Sequence, residues 1–415
     1  MKAYYKVFVR PVLFAVSLTI LIVSCENDNG SSAPEYNNQY LVSYELINSY
    51  NASQVQSSLI LGSILYPEID TLVATSVYGA EIYKITYKTT FRGGEIIASG
   101  LVSVPDASNS FPLLSFQNGT NTCHSNAPTV NTTDRLYTLI GFAAGNGYIV
   151  AIADYIGFGA SKQVLHPYHH RESNNRAVID LLQAVLEFTS TKNIRAKSNG
   201  QLFLMGYSQG GWATLSVLNE LENNALDSIQ PVAASCGAGA YDMVEMGRYI
   251  VSETEYSNPF YLPYFIQSHI ANGYMQGSLA TYFNEPYASS IPSLFDGNKC
   301  NTEMNNEFPQ SIPELLAPKL LSEYETAAEF APLRNELQEN SIPAWKVKTP
   351  LLVYHSRGDK SVPFFESEQL YANLLGAGVP ATGIKYIPEN NTEIDHGDAV
   401  VPWGIETLAW FSSMK

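Results

Sequence analysis

The pentapeptide Gly206-Tyr207-Ser208-Gln209-Gly210 stands directly after the apolar run Leu202-Phe203-Leu204-Met205 and just before a stretch of helical spacing from Trp212 to Leu221. A tight strand-to-helix turn pushes a serine hydroxyl out of the backbone and leaves no room for side chains on its flanks. Glycines two residues before and after Ser208 meet that requirement. The following helix starts at the serine, so the backbone N–H of Gln209 can meet a developing oxyanion. The chemistry this predicts is nucleophilic attack by Ser208 on a carbonyl carbon.

A serine hydroxyl is a poor nucleophile until a base takes its proton, and the base needs a carboxylate to fix its tautomer. The segment His355-Ser356-Arg357-Gly358-Asp359-Lys360-Ser361-Val362-Pro363 follows the apolar run Leu351 to Tyr354, which puts Asp359 in a loop beyond a strand end. Asn390 to Gly397 follows the run ending at Ile387, which puts His396 in the last such loop before a final helix. Loops at that edge line the crevice of open α/β sheets. Ser208, Asp359 and His396 are therefore the expected nucleophile, acid and base, in the chain order this type of site uses. Asp395 and Asp398 are rival acids by proximity, but neighbouring side chains diverge. His355 is a rival base on the same loop as the acid.

A second oxyanion donor is expected from the loop Phe116-Gln117-Asn118-Gly119-Thr120-Asn121, at the backbone N–H of Asn118 or a neighbour. Asp154 opens another loop, Tyr155-Ile156-Gly157-Phe158-Gly159, which Asp154 is expected to order through backbone hydrogen bonds. His166, His169 and His170 follow in the chain. They lack Cys, Asp or Glu at ligand spacing, so no metal site is assigned and the chemistry calls for no cofactor.

These residues need a scaffold. From Ala80 onward, stretches of strand character alternate with helical ones, the pattern of a mostly parallel sheet covered on both faces. Glu81–Thr90 and Ile96–Val104 make an opening hairpin through Arg92-Gly93-Gly94. Buried strands are expected at Pro112–Phe116, Tyr148–Ala153, Leu202–Met205, Val232–Ser235, Pro350–Tyr354 and Gly383–Ile387. Helices are expected near 133–144, 177–189, 212–221, 365–375 and 399–411. The fold class is α/β, an eight-stranded doubly wound sheet. Its two parts, 40–240 and 348–415, are separated by a mainly helical cap at 241–347, where no buried-strand pattern occurs. The segment 40–70, with Leu and Ile at near-helical spacing, is expected to pack ahead of the sheet.

The chain opens with Lys2, Lys6 and Arg10 before an apolar run from Val12 to Val23 that is shorter than the roughly 20 residues a bilayer span needs. Residues 1–24 therefore read as a signal peptide, and Ile22-Val23-Ser24-Cys25 resembles the lipobox of bacterial lipoproteins, with Cys25 as the lipidated residue. Residues 25–39 read as a polar tether. Losing the three basic residues takes the formal charge from −16 to −19. That balance excludes nucleic acid as a partner and leaves the membrane link to the lipid. Export to the cell envelope, with display on the outer surface suggested by Glu26-Asn27-Asp28, follows. Cys123, Cys236 and Cys300 then allow one disulfide among three pairings.

Taken together, the Phe116–Thr120 loop, the Asp154–Gly159 turn, the Gly206–Gly211 elbow, the Asp359 loop and His396 resemble the secretory lipases of the α/β-hydrolase superfamily, over roughly 83–411. The resemblance implies an α/β-hydrolase fold and hydrolysis of a small-molecule, lipid or glycan ester through an acyl-enzyme. A serine peptidase on the same fold, or an inert surface-binding lipoprotein, are the alternatives. Nine aromatics between Tyr256 and Tyr287, against 12% aromatics in the chain, nominate Tyr261, Tyr264 and Tyr282 as pocket residues. Tyr207, beside the nucleophile, joins them.

Overall fold

In the computed structural model, which describes residues 38–64 and 66–415, nine strands form one sheet. They are β1 (Leu41–Tyr50), β2 (Ala80–Phe91), β3 (Gly94–Pro105), β4 (Ser110–Gln117), β5 (Ile149–Ala153), β6 (Lys197–Tyr207), β7 (Gln230–Gly237), β8 (Leu351–Ser356) and β9 (Ile384–Glu389). Their order is β1-β2-β3-β5-β4-β6-β7-β8-β9. The run from β5 to β9 is parallel, whereas β1, β2 and β3 pair antiparallel and β3 joins β5 antiparallel. The expected signal peptide, Cys25 and nearly all of the tether lie outside the described residues.

The expected eight strands become nine because the segment 40–70 is not helical throughout. Its first part is β1, an edge strand paired to β2 alone. Val42 and Leu46 on it are 49% and 50% exposed, so its apolar residues do not all lie on one buried face and the period-2 signal is absent. The helix starts only at Ala52. Asn51 caps it, accepting from Gln54 N at 2.9 Å while the Gln54 side chain accepts from Asn51 N at 2.8 Å.

Between β7 and β8 the chain leaves the sheet and forms seven α-helices, from Met243–Ser252 to Ala331–Asn340. They bury a core of their own, including Phe260, Tyr282, Phe330 and Leu333, which meets the sheet part at Tyr168, Trp212 and Ala213. Burying a side chain of that size contributes about 2–3 kcal/mol. Both ends of the insertion are tied down. Ile342 N donates to Tyr241 O at 2.7 Å, and Glu366 on the helix Phe365–Gly376 accepts from Tyr241 N and Asp242 N at 2.7 and 2.8 Å.

A disulfide joins Cys123, in the loop after β4, to Cys300 in the cap, with Cα atoms 4.7 Å apart. Cys236 on β7 is left as a buried thiol whose pKa burial pushes up to about 12, which makes it inert.

Candidate active site

β6 runs buried into the turn, and the helix Gln209–Asn223 leaves it. Between them Ser208 takes φ 60° and ψ −126°, a conformation that non-glycine residues rarely hold without support. The support is visible. Ser208 N donates to Gly237 O at 2.9 Å, and a Cβ on Gly206 or Gly210 would lie 2.2 Å from Gly210 O or 2.0 Å from Gln117 O. Both flanks therefore admit only glycine. Gln209 is the first helical residue, so its N–H has no partner from within the helix.

Asp359 and His396 come from separate loops, after β8 and after β9, and the structure brings them together: His396 Nδ1 donates to Asp359 Oδ2 at 2.5 Å. The two loops are stitched to one another. Ser356 Oγ donates to Ile394 O at 2.6 Å, and a Cβ on Gly358 would lie 2.5 Å from Thr392 O, so only glycine allows this approach. Asp395 spends its Oδ1 on the backbone N–H groups of Lys360 and His396, at 3.2 and 2.7 Å. It holds the loop, and among the described residues the bond to the ring's Nδ1 comes from Asp359. His355 is fully buried against Asp359.

Burial alone would raise the Asp359 carboxyl, but hydrogen bonds from His355 and His396 outweigh it and hold the group well below the usual carboxylate range. It is ionised at any working pH. The His396 ring also lies against Tyr207, with centroids 5.1 Å apart, and Tyr207 in turn packs on Trp403 at 5.4 Å. Tyr207 is buried and is not a wall of the cavity described next, so its expected contact with substrate is replaced by support of the histidine ring. Among the described residues no hydrogen bond links Ser208 Oγ to His396. Such bonds are often long before substrate is bound.

Ser208 and Gln209 open into a cavity whose other walls include Thr120, Tyr168, Met246, Ile250, Tyr261 and Leu337. The cap supplies most of the apolar lining. Of the three cap tyrosines nominated from sequence, Tyr261 is at this wall. Tyr264 instead stacks between Tyr168 and Phe295, at 4.3 and 4.7 Å, and donates to Asn121 O at 3.0 Å. Tyr282 is 1% exposed inside the cap core. Aromatic density showed that rings cluster there; it could not show which way each one points.

The loop expected to supply the second oxyanion donor, at the backbone N–H of Asn118 or a neighbour, lies beside the elbow: a Cβ on Gly210 would come 2.9 Å from Asn118 O, and one on Gly119 3.9 Å from Ser208 Cβ. The Asn118 side chain donates to Ala153 O at 2.6 Å and does not line the cavity, whereas Thr120, two residues on, does. Thr120 Oγ1 and the Tyr168 hydroxyl lie 2.9 Å apart at this wall, and Asn301 of the cap donates to Thr120 O at 2.7 Å. The sequence signal for Thr120 was its place in the same loop. Tyr168 and Asn301 had none.

The three histidines after Asp154 have separate tasks. Burial drives His166 down to about 4 and His169 to about 3, so both are uncharged near neutrality. His166 Nδ1 faces Ile156 O at 2.7 Å and must carry the hydrogen, which leaves Nε2 to accept from Gln209 Nε2 at 3.1 Å. That bond fixes the side chain of the residue after Ser208. His169 packs on Trp212, and His170 caps the helix Arg171–Ser190. Asp154 accepts from Ser99 Oγ at 2.5 Å, from Thr129 N at 2.8 Å and from Thr129 Oγ1, so it ties β3 and the Thr129 loop to the end of β5.

The sequence profile of the secretory lipase family matches residues 122–274. No curated protein matches the chain. Among solved structures, a putative hydrolase from Legionella pneumophila is 26% identical, with a TM-score of 0.80 over 91% of this chain and 98% of that one. A rice cell wall degrading esterase, LipA from Xanthomonas oryzae, is 22% identical with a TM-score of 0.77, over 90% of this chain and 99% of its own. Lipase A of Candida antarctica in its closed state is 14% identical with a TM-score of 0.63, over 90% and 82%. The sheet order, the elbow and these likenesses make the chain an α/β-hydrolase by fold, and the family it resembles over residues 122–274 is that of the secretory lipases.

Proposed function

We propose that the protein hydrolyses carboxylic esters through an acyl-enzyme on Ser208. The observation that carries this is the bond from His396 Nδ1 to Asp359 Oδ2, on loops beside a serine held at φ 60° over a largely apolar cavity. His396 Nε2 takes the Ser208 proton as Oγ attacks the ester carbonyl. The oxyanion is met by the N–H of Gln209 and by the N–H of Asn118 or a neighbour in its loop. His396 then returns the proton to the leaving alcohol, and water attacks the acyl-enzyme by the same route. The family likeness favours esters over amides. Parallel turnover of p-nitrophenyl esters and aminoacyl anilides tests this; faster cleavage of the anilides would make the protein a peptidase.

The cavity's apolar cap wall suits the acyl part of the substrate, with Tyr261 adding a hydroxyl. Tyr261→Leu is expected to reorder a series of acyl chain lengths by about 10-fold in kcat/KM. Tyr282→Leu, in the cap core, is expected to keep the wild-type ranking and lower stability by about 1–3 kcal/mol. An unchanged ranking in Tyr261→Leu would move the acyl site elsewhere.

Likeness to secreted lipases is consistent with export, and among the described residues no helix is long and apolar enough to cross a membrane. We propose that Cys25 carries the lipid that retains the mature chain at the cell envelope, with its catalytic domain on the outer surface. Wild type is expected in the membrane fraction and Cys25→Ala unprocessed or soluble. Equal membrane partition of processed Cys25→Ala would remove the anchor, and protection of wild type from protease added to intact cells would remove the surface display.

A further inference from the structure

The Asp359 carboxylate has four donors, and only one of them is His396. Its Oδ1 accepts from Ser361 N and Val362 N, both at 2.8 Å. Its Oδ2 accepts from His396 Nδ1 at 2.5 Å and, at 3.2 Å, from Nε2 of His355, four residues earlier at the end of β8. The same Nε2 lies 3.0 Å from Val362 O. Both neighbours of Nε2 are acceptors, so that nitrogen carries the hydrogen. The other side of the ring is also fixed: Nδ1 lies 2.7 Å from Ser367 Oγ on the helix Phe365–Gly376, and the Phe364 ring packs 5.4 Å away. His355 and Ser367 are both fully buried.

An acid that orients a base must itself be held by something other than that base. If His396 were the only side chain on Oδ2, ring and carboxylate would turn together and the base would be aimed by nothing. The two backbone donors fix Oδ1 alone, which leaves the carboxylate able to swing about that end. His355 pins the second oxygen from the end of β8, a strand paired on both sides to β7 and β9. We infer that His355 is a positioning residue for the catalytic acid: its Nε2–H holds Asp359 Oδ2 in place so that the carboxylate aims His396 at Ser208. This rests on the roles proposed above for Ser208, Asp359 and His396. A buried histidine serving only to fill space between β8 and the next helix would need no bond to Asp359; here both acceptors of Nε2 belong to the turn that carries the acid.

The test uses the purified protein and a p-nitrophenyl ester, with Ser208→Ala, His355→Leu, His355→Gln and Ser367→Ala measured beside wild type and each checked for folding by circular dichroism. His355→Leu is expected to lower kcat on the order of 10- to 100-fold while KM stays within about 2-fold, because aim is lost and binding is not. Glutamine can offer an N–H to Oδ2, so His355→Gln is expected within about 5-fold of wild type. Ser367→Ala frees the ring without touching the acid and is expected to lower kcat about 3-fold. Labelling of Ser208 by a fluorophosphonate should slow in the same order. A folded His355→Leu with wild-type kcat, or Leu and Gln variants equally impaired, overturns the inference. If His355→Leu does not fold, an unchanged kcat in Ser367→Ala overturns it. Turnover surviving in Ser208→Ala would instead overturn the assignment of the site on which it rests.

Discussion

Ser208→Ala is expected to abolish ester turnover, a loss on the order of 10⁶ in kcat, and to abolish labelling by a fluorophosphonate. The elbow presents one hydroxyl, between the glycines at 206 and 210, and the helix that begins at Gln209 places its N-terminus under that oxygen alone. No second serine or threonine in the cavity sits on such a turn: Thr120, the other hydroxyl nearby, is engaged with Tyr168. The backbone should barely notice the change, since the supporting contacts are made by Ser208 N and by the flanking glycines rather than by Oγ. The measurement is steady-state hydrolysis together with intact-mass detection of the probe adduct. A stoichiometric adduct on the alanine variant would show that another residue is the nucleophile.

Asp359→Asn is expected to lower kcat by about 10⁴ with the fold retained. The amide oxygen would take the place of Oδ1, where Ser361 N and Val362 N both donate. Its NH₂ would then face His355 Nε2 and His396 Nδ1, two positions that now donate to a carboxylate oxygen. His396 could relieve that clash only by moving its hydrogen to Nε2. An imidazole in that tautomer cannot take the Ser208 proton. The variant should therefore bind substrate normally, with KM near wild type, and fail at chemistry. If kcat fell less than 10-fold, Asp359 would not be the orienting acid, and Asp395 would have to be tested in its place.

The residues proposed as nucleophile, acid and base were legible because each depends on local sequence: a glycine-flanked serine after an apolar run, and an aspartate and a histidine in the loops after two later apolar runs. Six strands were legible for the same reason, since strands buried on both faces read as short continuous apolar runs, and β2 and β3 were legible as a hairpin through Arg92-Gly93-Gly94. β1 was not, because an edge strand with Val42 and Leu46 half exposed has no such run. His355 looked like a competing base, and only the turn from 359 to 362, which folds Asp359 and Val362 back onto it, reveals the bond. Thr120, in the loop named for Asn118, was likewise not singled out as a cavity wall. Sequence located the loop but not the direction in which each of its side chains leaves the backbone.

The cap buries an apolar core of its own and meets the sheet part at Tyr168, Trp212 and Ala213. The groups proposed to break the bond sit after β6 and on the loops after β8 and β9, while the cavity they open into is lined largely by the cap. Inheritance can therefore act on the two parts at different rates. A substitution at Met246, Ile250 or Leu337 alters the wall of the cavity with its packing cost absorbed inside the insertion, and the distances among Ser208, Asp359 and His396 need not change. Descendants of such a chain can acquire new diets without relearning their chemistry, and a laboratory library confined to residues 241–347 would explore the same freedom.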